Sequence, residues 1–213
     1  MEQLNVFVSV GGTATDNQES FVTAIENRLK IENLIPNTVG RNKFSTDPTL
    51  KAVNELMNNC SGTIIVALER TYFPTGLEKR GGVKESKLTE VKFATPWNQI
   101  EAAMAYSKGQ PLLVIIEEGL KSEGLLEKGH DWYVMWVKPD KSSLNTSEFN
   151  GIFSSWKNKV INKTQTTKTK INPAELTVGD LVKNLRTSQL WAILAGLALL
   201  ISGAFALGHL LPK

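Results

Sequence analysis

The sequence predicts an α/β fold: a parallel sheet of about five strands with helices on both faces, followed by one C-terminal transmembrane helix. Three observations lead there. Short runs that are apolar throughout, such as Thr63-Ile-Ile-Val-Ala-Leu68, have the character of central parallel strands. Stretches with apolar residues at helical spacing alternate with them, which implies crossover connections between parallel strands. The run from Leu190 to Leu211 contains no Asp, Glu, Lys or Arg. About 20 such residues at ~1.5 Å rise cross a ~30 Å hydrocarbon layer.

The elements follow in order. Asn5–Val10 is a short apolar run ending in Gly11-Gly12, the pattern of a buried strand entering a tight loop. Asp16 is placed to cap a helix whose apolar positions are Phe21, Ile25 and Leu29. Leu34–Val39 reads as the second strand, and Gly40–Thr46 as a polar loop. Asp47 begins a helix with Pro48 in its first turn and Leu50, Val53, Leu56 and Met57 facing inward. After the strand at 63–68, the charged stretch Arg70–Thr95 reads as an irregular insertion, a solvated loop in preference to a lid or a contact between subunits. Pro96 and Trp97 open a helix to about Ser107. Pro111–Ile116 and Trp132–Val137 supply the fourth and fifth strands, and Phe149–Val160 a closing helix. Domain boundaries follow at 1–161 for the α/β domain, 162–187 for a linker and juxtamembrane segment, and 188–211 for the span. Asn162–Lys170 is rich in Thr and Lys and has the composition of a solvated linker. Ala174–Thr187 is expected to form an interfacial helix.

Trp191 at one end of the apolar run and the flanking Lys183 and Arg186 predict a single-pass, tail-anchored membrane protein with its N-terminal domain in the cytoplasm. The 24 basic and 21 acidic residues give a net charge of +3. That balance is too even for a protein that coats a polyanion, so nucleic acid is not expected as a partner. One cysteine, Cys60, permits no intramolecular disulfide, and it reads as a packing residue. Two histidines cannot make a histidine-rich metal site, so neither a metal nor a resident cofactor is expected.

Ligands of open parallel sheets bind at the carboxyl ends of the strands. That rule selects Ser9–Thr13, Gly40–Thr46, Glu69–Phe73 and Thr95–Glu101. Gly11 and Gly12 allow close backbone approach, with Thr13 beside them and a helix N-terminus following. Arg41 and Arg70 are candidate phosphate partners, and Trp97 can stack on a base. Glu101 is the sharpest candidate. It lies in a helix otherwise made of small and apolar residues (Trp97-Asn-Gln-Ile-Glu101-Ala-Ala-Met-Ala-Tyr106), where a carboxylate is costly unless it is paired or used. A single oriented carboxylate suffices for an N-glycoside whose base leaves readily, as cationic nicotinamide does. Glu117 and Glu118 read as solvent-facing, His130-Asp131 as a turn, and Trp132, Trp136 and Trp156 as packing residues.

Val6-Phe-Val-Ser9 as first strand and Trp97-x-x-x-Glu101 on the helix after the third strand resemble TIR domains. Glu101 aligns there with the catalytic glutamate of NAD-cleaving members. The same stretch with Gly109-Gln-Pro-Leu-Leu-Val is similar to nucleoside 2-deoxyribosyltransferases, whose nucleophilic glutamate also falls on Glu101. Asn98 stands in place of the usual TIR cysteine, Thr95 in place of the transferases' usual aspartate, and the 70–95 insertion has no counterpart in a minimal TIR domain. The resemblance implies a flavodoxin-like, TIR-like sheet. It also implies a membrane-anchored N-glycosidase acting on NAD or a related nucleotide, active as a homo-oligomer in bacterial anti-phage defence. Glu101 would be the catalytic residue, with Phe7, Ser9, Arg41 and Trp97 forming the pocket. The alternative is a non-catalytic sensor of a nucleotide signal, whose clustering assembles the C-terminal helices into a membrane-disrupting effector.

Overall fold

A computed structural model of the chain describes residues 3–129, 131–169, 189, 191, 192 and 194–196. The chain divides into two compact units, Met1–Thr167 and Lys168–Lys213. The expected span at 190–211 and the expected juxtamembrane helix lie largely outside the described residues. Among those that are described, Gln189, Trp191, Ala192, Leu194, Ala195 and Gly196 are helical, and no helix is long and apolar enough to cross a membrane.

The first unit is built on a five-stranded parallel sheet. Its strands are β1 (Leu4–Val10), β2 (Leu34–Asn37), β3 (Gly62–Ala67), β6 (Leu112–Glu117) and β7 (Tyr133–Val137), in spatial order β2-β1-β3-β6-β7. The expected parallel sheet of about five strands is present. The chain leaves β1 toward β2 and then returns past β1 to β3. The order therefore reverses between β1 and β3, the switch point beside which open parallel sheets place a ligand crevice.

Alternation along β1 divides the core. Val6 and Val8 face α1 (Asp16–Ile31) and α4 (Ser147–Thr169), packing with Phe21, Ile25, Phe149, Phe153 and Trp156. Phe7 faces the other side, packing with Val53 and Met57 of α2 (Thr49–Asn58) and Ala102 and Ala105 of α3 (Pro96–Ser107). Each fully buried Phe, Leu or Ile is worth roughly 1.5–3 kcal/mol, so both faces are firmly held. Cys60 sits in the second cluster, and burial pushes its thiol up to about 12. It is a packing residue, as its sequence context suggests.

Three elements differ from the sequence reading. Thr15, not Asp16, caps α1, because its hydroxyl accepts from the Gln18 amide. The closing helix begins at Ser147 and continues through Thr169, into the stretch read as linker. The 70–95 insertion is not a loop. It forms an antiparallel hairpin of β4 (Thr71–Glu78) and β5 (Ser86–Phe93), running from the pair Thr71↔Phe93 to Glu78↔Ser86. Pro74, which has no N–H, interrupts the ladder between Phe73↔Val91 and Thr75↔Thr89, and nearby Glu90 takes a positive φ of 52°. The hairpin is tied down at its base. Arg70 N–H donates to Phe93 O at 2.9 Å and Lys121 N–H to Lys92 O at 2.8 Å, while Lys121 Nζ meets Glu78 at 2.6 Å.

At Gly62 a Cβ would lie 2.5 Å from Val160 Cγ2 of α4 and 3.4 Å from Trp156. We expect Gly62→Ala to destabilise the domain by about 1–3 kcal/mol through overpacking. Urea unfolding checks this, and a change below about 0.5 kcal/mol would mean that Val160 yields freely.

Candidate functional site

The first turn of α3 enters the crevice above β1 and β3. Thr95 caps it, accepting weakly from Trp97 N–H at 3.4 Å, and Pro96 occupies the first helical position, where no N–H is needed. One turn in, Asn98 is 1% exposed. Its Nδ2 donates to Ser9 Oγ at 3.0 Å, and at 3.5 Å to both Ser9 O and Val66 O. The amide thus spans the carboxyl ends of both strands at the switch point. Its orientation is determined by those partners. Backbone carbonyls only accept, so the nitrogen must face them. The amide oxygen, Oδ1, is left buried without a partner. Such an orphan costs about 1–3 kcal/mol.

Glu101, one further turn along, is 8% exposed, on the same buried face as Asn98, Ala102 and Ala105. Burial lifts its carboxyl from the ordinary value of 4.5 to about 7, and the neighbouring Ser9 hydroxyl opposes that rise. A carboxyl poised near neutrality, in a crevice at a switch point, can attack an electron-poor carbon, stabilise a cation or move a proton.

The other expected site residues divide into those beside this group and those committed elsewhere. Ser9, 1% exposed, is in it. Gly11 lies at its edge, where a Cβ would come within 3.1 Å of Thr95 Cγ2. Gly12 accepts from Arg70 Nη1 at 3.3 Å, so exposed Arg70 leans over the β1–α1 loop with donors to spare. Trp97 is 38% exposed, four residues before Glu101 on the same helix. Phe7 is 1% exposed and belongs to the core beneath the crevice rather than to its surface.

Thr13 and Arg41 are engaged in a clamp. Arg41 meets Glu19 at 2.6 Å and Glu26 at 2.7 Å, and Thr13 Oγ1 donates to Glu19 at 2.8 Å. The guanidinium, with help from Thr13, holds the Glu19 carboxyl down to about 2, and the two carboxylates raise the Arg41 pKa in return. Arg41 therefore ties the β2–α2 loop to α1, and its fork is occupied by protein carboxylates.

Two features escaped sequence reasoning. Asn98 reads only as a polar residue three before Glu101, and nothing in the sequence gives the direction of its hydrogen bonds. Glu117 does not face solvent as expected. It accepts from Glu69 N–H at 2.8 Å and from Gln18 Nε2 at 3.4 Å, while Gln18 Oε1 accepts from Ala14 N–H at 2.8 Å. The loops after β1, β3 and β6 are thereby stitched together. Exposed Glu118 matches the expectation, and His130 lies outside the described residues. A separate cavity of about 440 Å³ lies under the hairpin, lined by Phe73, Phe93, Thr95, Pro96, Gln99 and Lys121 among others. Three of its polar side chains, Lys121, Glu123 and Gln99, already have protein partners. Lys121 pairs with Glu78 and Glu123, and Gln99 bonds with Glu123 O and Leu125 N–H.

No protein-family model and no curated protein sequence matches this chain. Among solved structures, it is similar to a CMP N-glycosidase of Clostridium botulinum, BcmB, with a TM-score of 0.44 and 12% identity over 71% of this chain and 98% of that one. It is also similar to the flavodiiron core of Flv1 from Synechocystis sp. PCC6803, with a TM-score of 0.43 and 14% identity. That match covers 74% of this chain but only 37% of the flavodiiron chain.

The raised Glu101 pKa has a consequence for stability. Below pH 4.5 the carboxyl is protonated in both folded and unfolded chains. Between 4.5 and about 7 the unfolded chain releases the proton first, so stability falls as pH rises and then levels off. Glu101→Gln lacks this fall. We expect its stability advantage over the wild type to grow by about 3 kcal/mol between pH 4.5 and 8. Denaturant titrations across that range check it, and a constant difference between the two proteins would contradict the burial argument.

Proposed function

We propose that this chain is a nucleotide N-glycosidase, with NAD or a related N-ribosyl nucleotide as substrate and Glu101 as the catalytic carboxylate. The observation that supports this reading most directly is the carboxyl itself. It is buried on α3 beside the switch point and lifted to about 7. A buried carboxyl without a cationic partner costs stability, and such groups concentrate where they are used.

In the proposed reaction, an ionised Glu101 oxygen meets the anomeric carbon as its bond to the base nitrogen breaks. The bonding electron pair leaves with the base, and nicotinamide needs no proton to depart because it begins as a cation. Water then attacks the anomeric carbon of the glutamyl ester. The sugar regains a hydroxyl, Glu101 is released as the carboxylate, and a proton passes to solvent. Arg70, over the β1–α1 loop, is the exposed cation placed to meet a phosphate. Trp97 offers a ring at the crevice edge. The apolar run at 190–211 would hold the domain on the cytoplasmic side of a membrane, where crowding favours self-assembly in a defence role.

The test is base release by the full-length protein in lipid vesicles, using NAD and a panel of nucleotides and nucleosides, with chromatography of the free base. We expect release by the wild type, and a loss of about 10³-fold or more in Glu101→Gln. Release that persists in Glu101→Gln, or silence across the whole panel, would overturn the assignment and favour the sensor alternative. Because the attacking form is the carboxylate, kcat/KM should rise with pH through about 7 and then level off. A rate that is flat from pH 5 to 9 would remove Glu101 from the reaction.

A further inference from the structure

We propose that the outer half of the β4–β5 hairpin is a docking surface for a membrane carrying anionic lipid, with Lys79, Arg80, Lys84 and Lys87 meeting the headgroups and Val83 entering between them. The inference goes beyond the catalytic reading and needs neither Glu101 nor any turnover.

Positive charge is concentrated there. Residues 77–89 carry those four cations against two carboxylates, Glu78 and Glu85. Both carboxylates are engaged, Glu78 by Lys121 Nζ at 2.6 Å and Glu85 by the Gly81 N–H at 2.6 Å. All four cations are exposed, and among the described residues Arg80, Lys84 and Lys87 make no hydrogen bond or ion pair. Arg41 and Lys121, by contrast, are each consumed by two protein carboxylates.

The shape of the tip sets an apolar side chain at the apex of this charge. Lys79 and Gly81 take positive φ of 52° and 77°. Gly82 N–H donates to Lys79 O and Glu85 N–H to Gly82 O, both at 3.0 Å, so the two turns close within the tip itself. They leave Val83 107% exposed. Beside it, a groove of about 580 Å³ is lined by Leu77, Leu88, Arg80 and Lys87 among others, which again puts cations next to aliphatic surface. Water gives such an aliphatic nothing. The boundary of a bilayer rewards it, and each nearby cation gains roughly fivefold in partition to an anionic surface. A nucleic acid would use the same cations but would reward neither Val83 nor Leu77. Residues 77–89 also contain no aromatic ring on which a base could stack.

Two further observations agree. Among the described residues, no hydrogen bond or ion pair joins 79–89 to the rest of the domain, whereas the base is held through Arg70, Lys92 and Lys121. A two-stranded ribbon is marginal in water by itself, so a surface along its outer half would stabilise it. The charge-free apolar run at 190–211 points the chain to a lipid surface independently.

The experiment places an environment-sensitive fluorophore on the full-length protein through Val83→Cys, while buried Cys60 stays unlabelled. The protein is mixed with vesicles of phosphatidylcholine alone, or of phosphatidylcholine and phosphatidylserine in equal parts. On the mixed vesicles the emission should shift to the blue and be quenched by nitroxide-labelled headgroups, and on phosphatidylcholine it should stay as in buffer. Arg80→Gln, Lys84→Gln and Lys87→Gln together should lower the ratio of docked to free hairpin by about 10²-fold. Salt at about 1 M, where the Debye length is ~3 Å, should release the wild type. A fluorophore at Lys30→Cys, exposed in the last turn of α1, should report no change. Flotation with phosphatidylcholine vesicles reports the 190–211 run and the emission at residue 83 reports the hairpin, so either can fail alone. Unchanged emission on the mixed vesicles would overturn the proposal, as would an equal shift on phosphatidylcholine or a triple variant that docks like the wild type. Binding of a labelled oligonucleotide that the triple variant loses, with no shift on vesicles, would assign the cations to nucleic acid instead.

Discussion

The structure depends on one buried side-chain amide. Ser9 and Val66 stand next to the carboxyl ends of β1 and β3, and the carbonyls of both accept a donor at 3.5 Å where a helix covers them. Asn98 supplies it from the first turn of α3. Rotating or sliding that turn would break the 3.0 Å bond to Ser9 Oγ and both longer contacts together. The helix turn and the Ser9 hydroxyl are thus tied through one group. An apolar residue at 98 would remove the donor that Ser9 Oγ now accepts from.

The rim of the crevice is fixed in a similar way, by side chains whose charge is spent within the protein. Arg41 draws the β2–α2 loop onto Glu19 and Glu26, and Glu117 with Gln18 joins the loops after β1, β3 and β6. These groups buy rigidity rather than ligand affinity. Their neutralisation leaves the crevice with little net field of its own, apart from Arg70 leaning over Gly12. Selectivity at such a site rests on shape and on a few oriented donors more than on bulk charge.

The sheet was legible in the sequence because its strands are apolar throughout and bounded by glycine, proline or polar clusters. Glu101 was legible for the converse reason, as a lone charge in an otherwise small and apolar helix face. The hairpin was not. Tyr72, Phe73, Leu77 and Val91 are interspersed with Lys, Glu and Thr, most of β4 and β5 is exposed, and Pro74 breaks the pattern that marks a strand. The partners of Arg41 were not legible because they lie seven residues apart on α1, on a face that becomes the arginine's neighbour only after folding. Asn98 was visible as a residue but not as a device. Its role lies in which of its two amide atoms faces the strand ends, and that is settled by carbonyls far away in sequence.

The energetic logic of the site follows from comparing two magnitudes. Lifting a carboxyl from 4.5 to about 7 removes about 3 kcal/mol of stability at neutral pH, and the orphaned Asn98 oxygen removes a further 1–3 kcal/mol. Domains of this size hold only about 5–15 kcal/mol in total. A substantial share of the margin is therefore given up within one turn and a half of α3, where replacement by apolar residues would recover it. Burial alone would also leave Glu101 mostly protonated and useless as a nucleophile. The Ser9 hydroxyl works against that by favouring the charged form, so that the carboxylate is present at neutral pH while still desolvated. A hydroxyl free to rotate would give that assistance only part of the time.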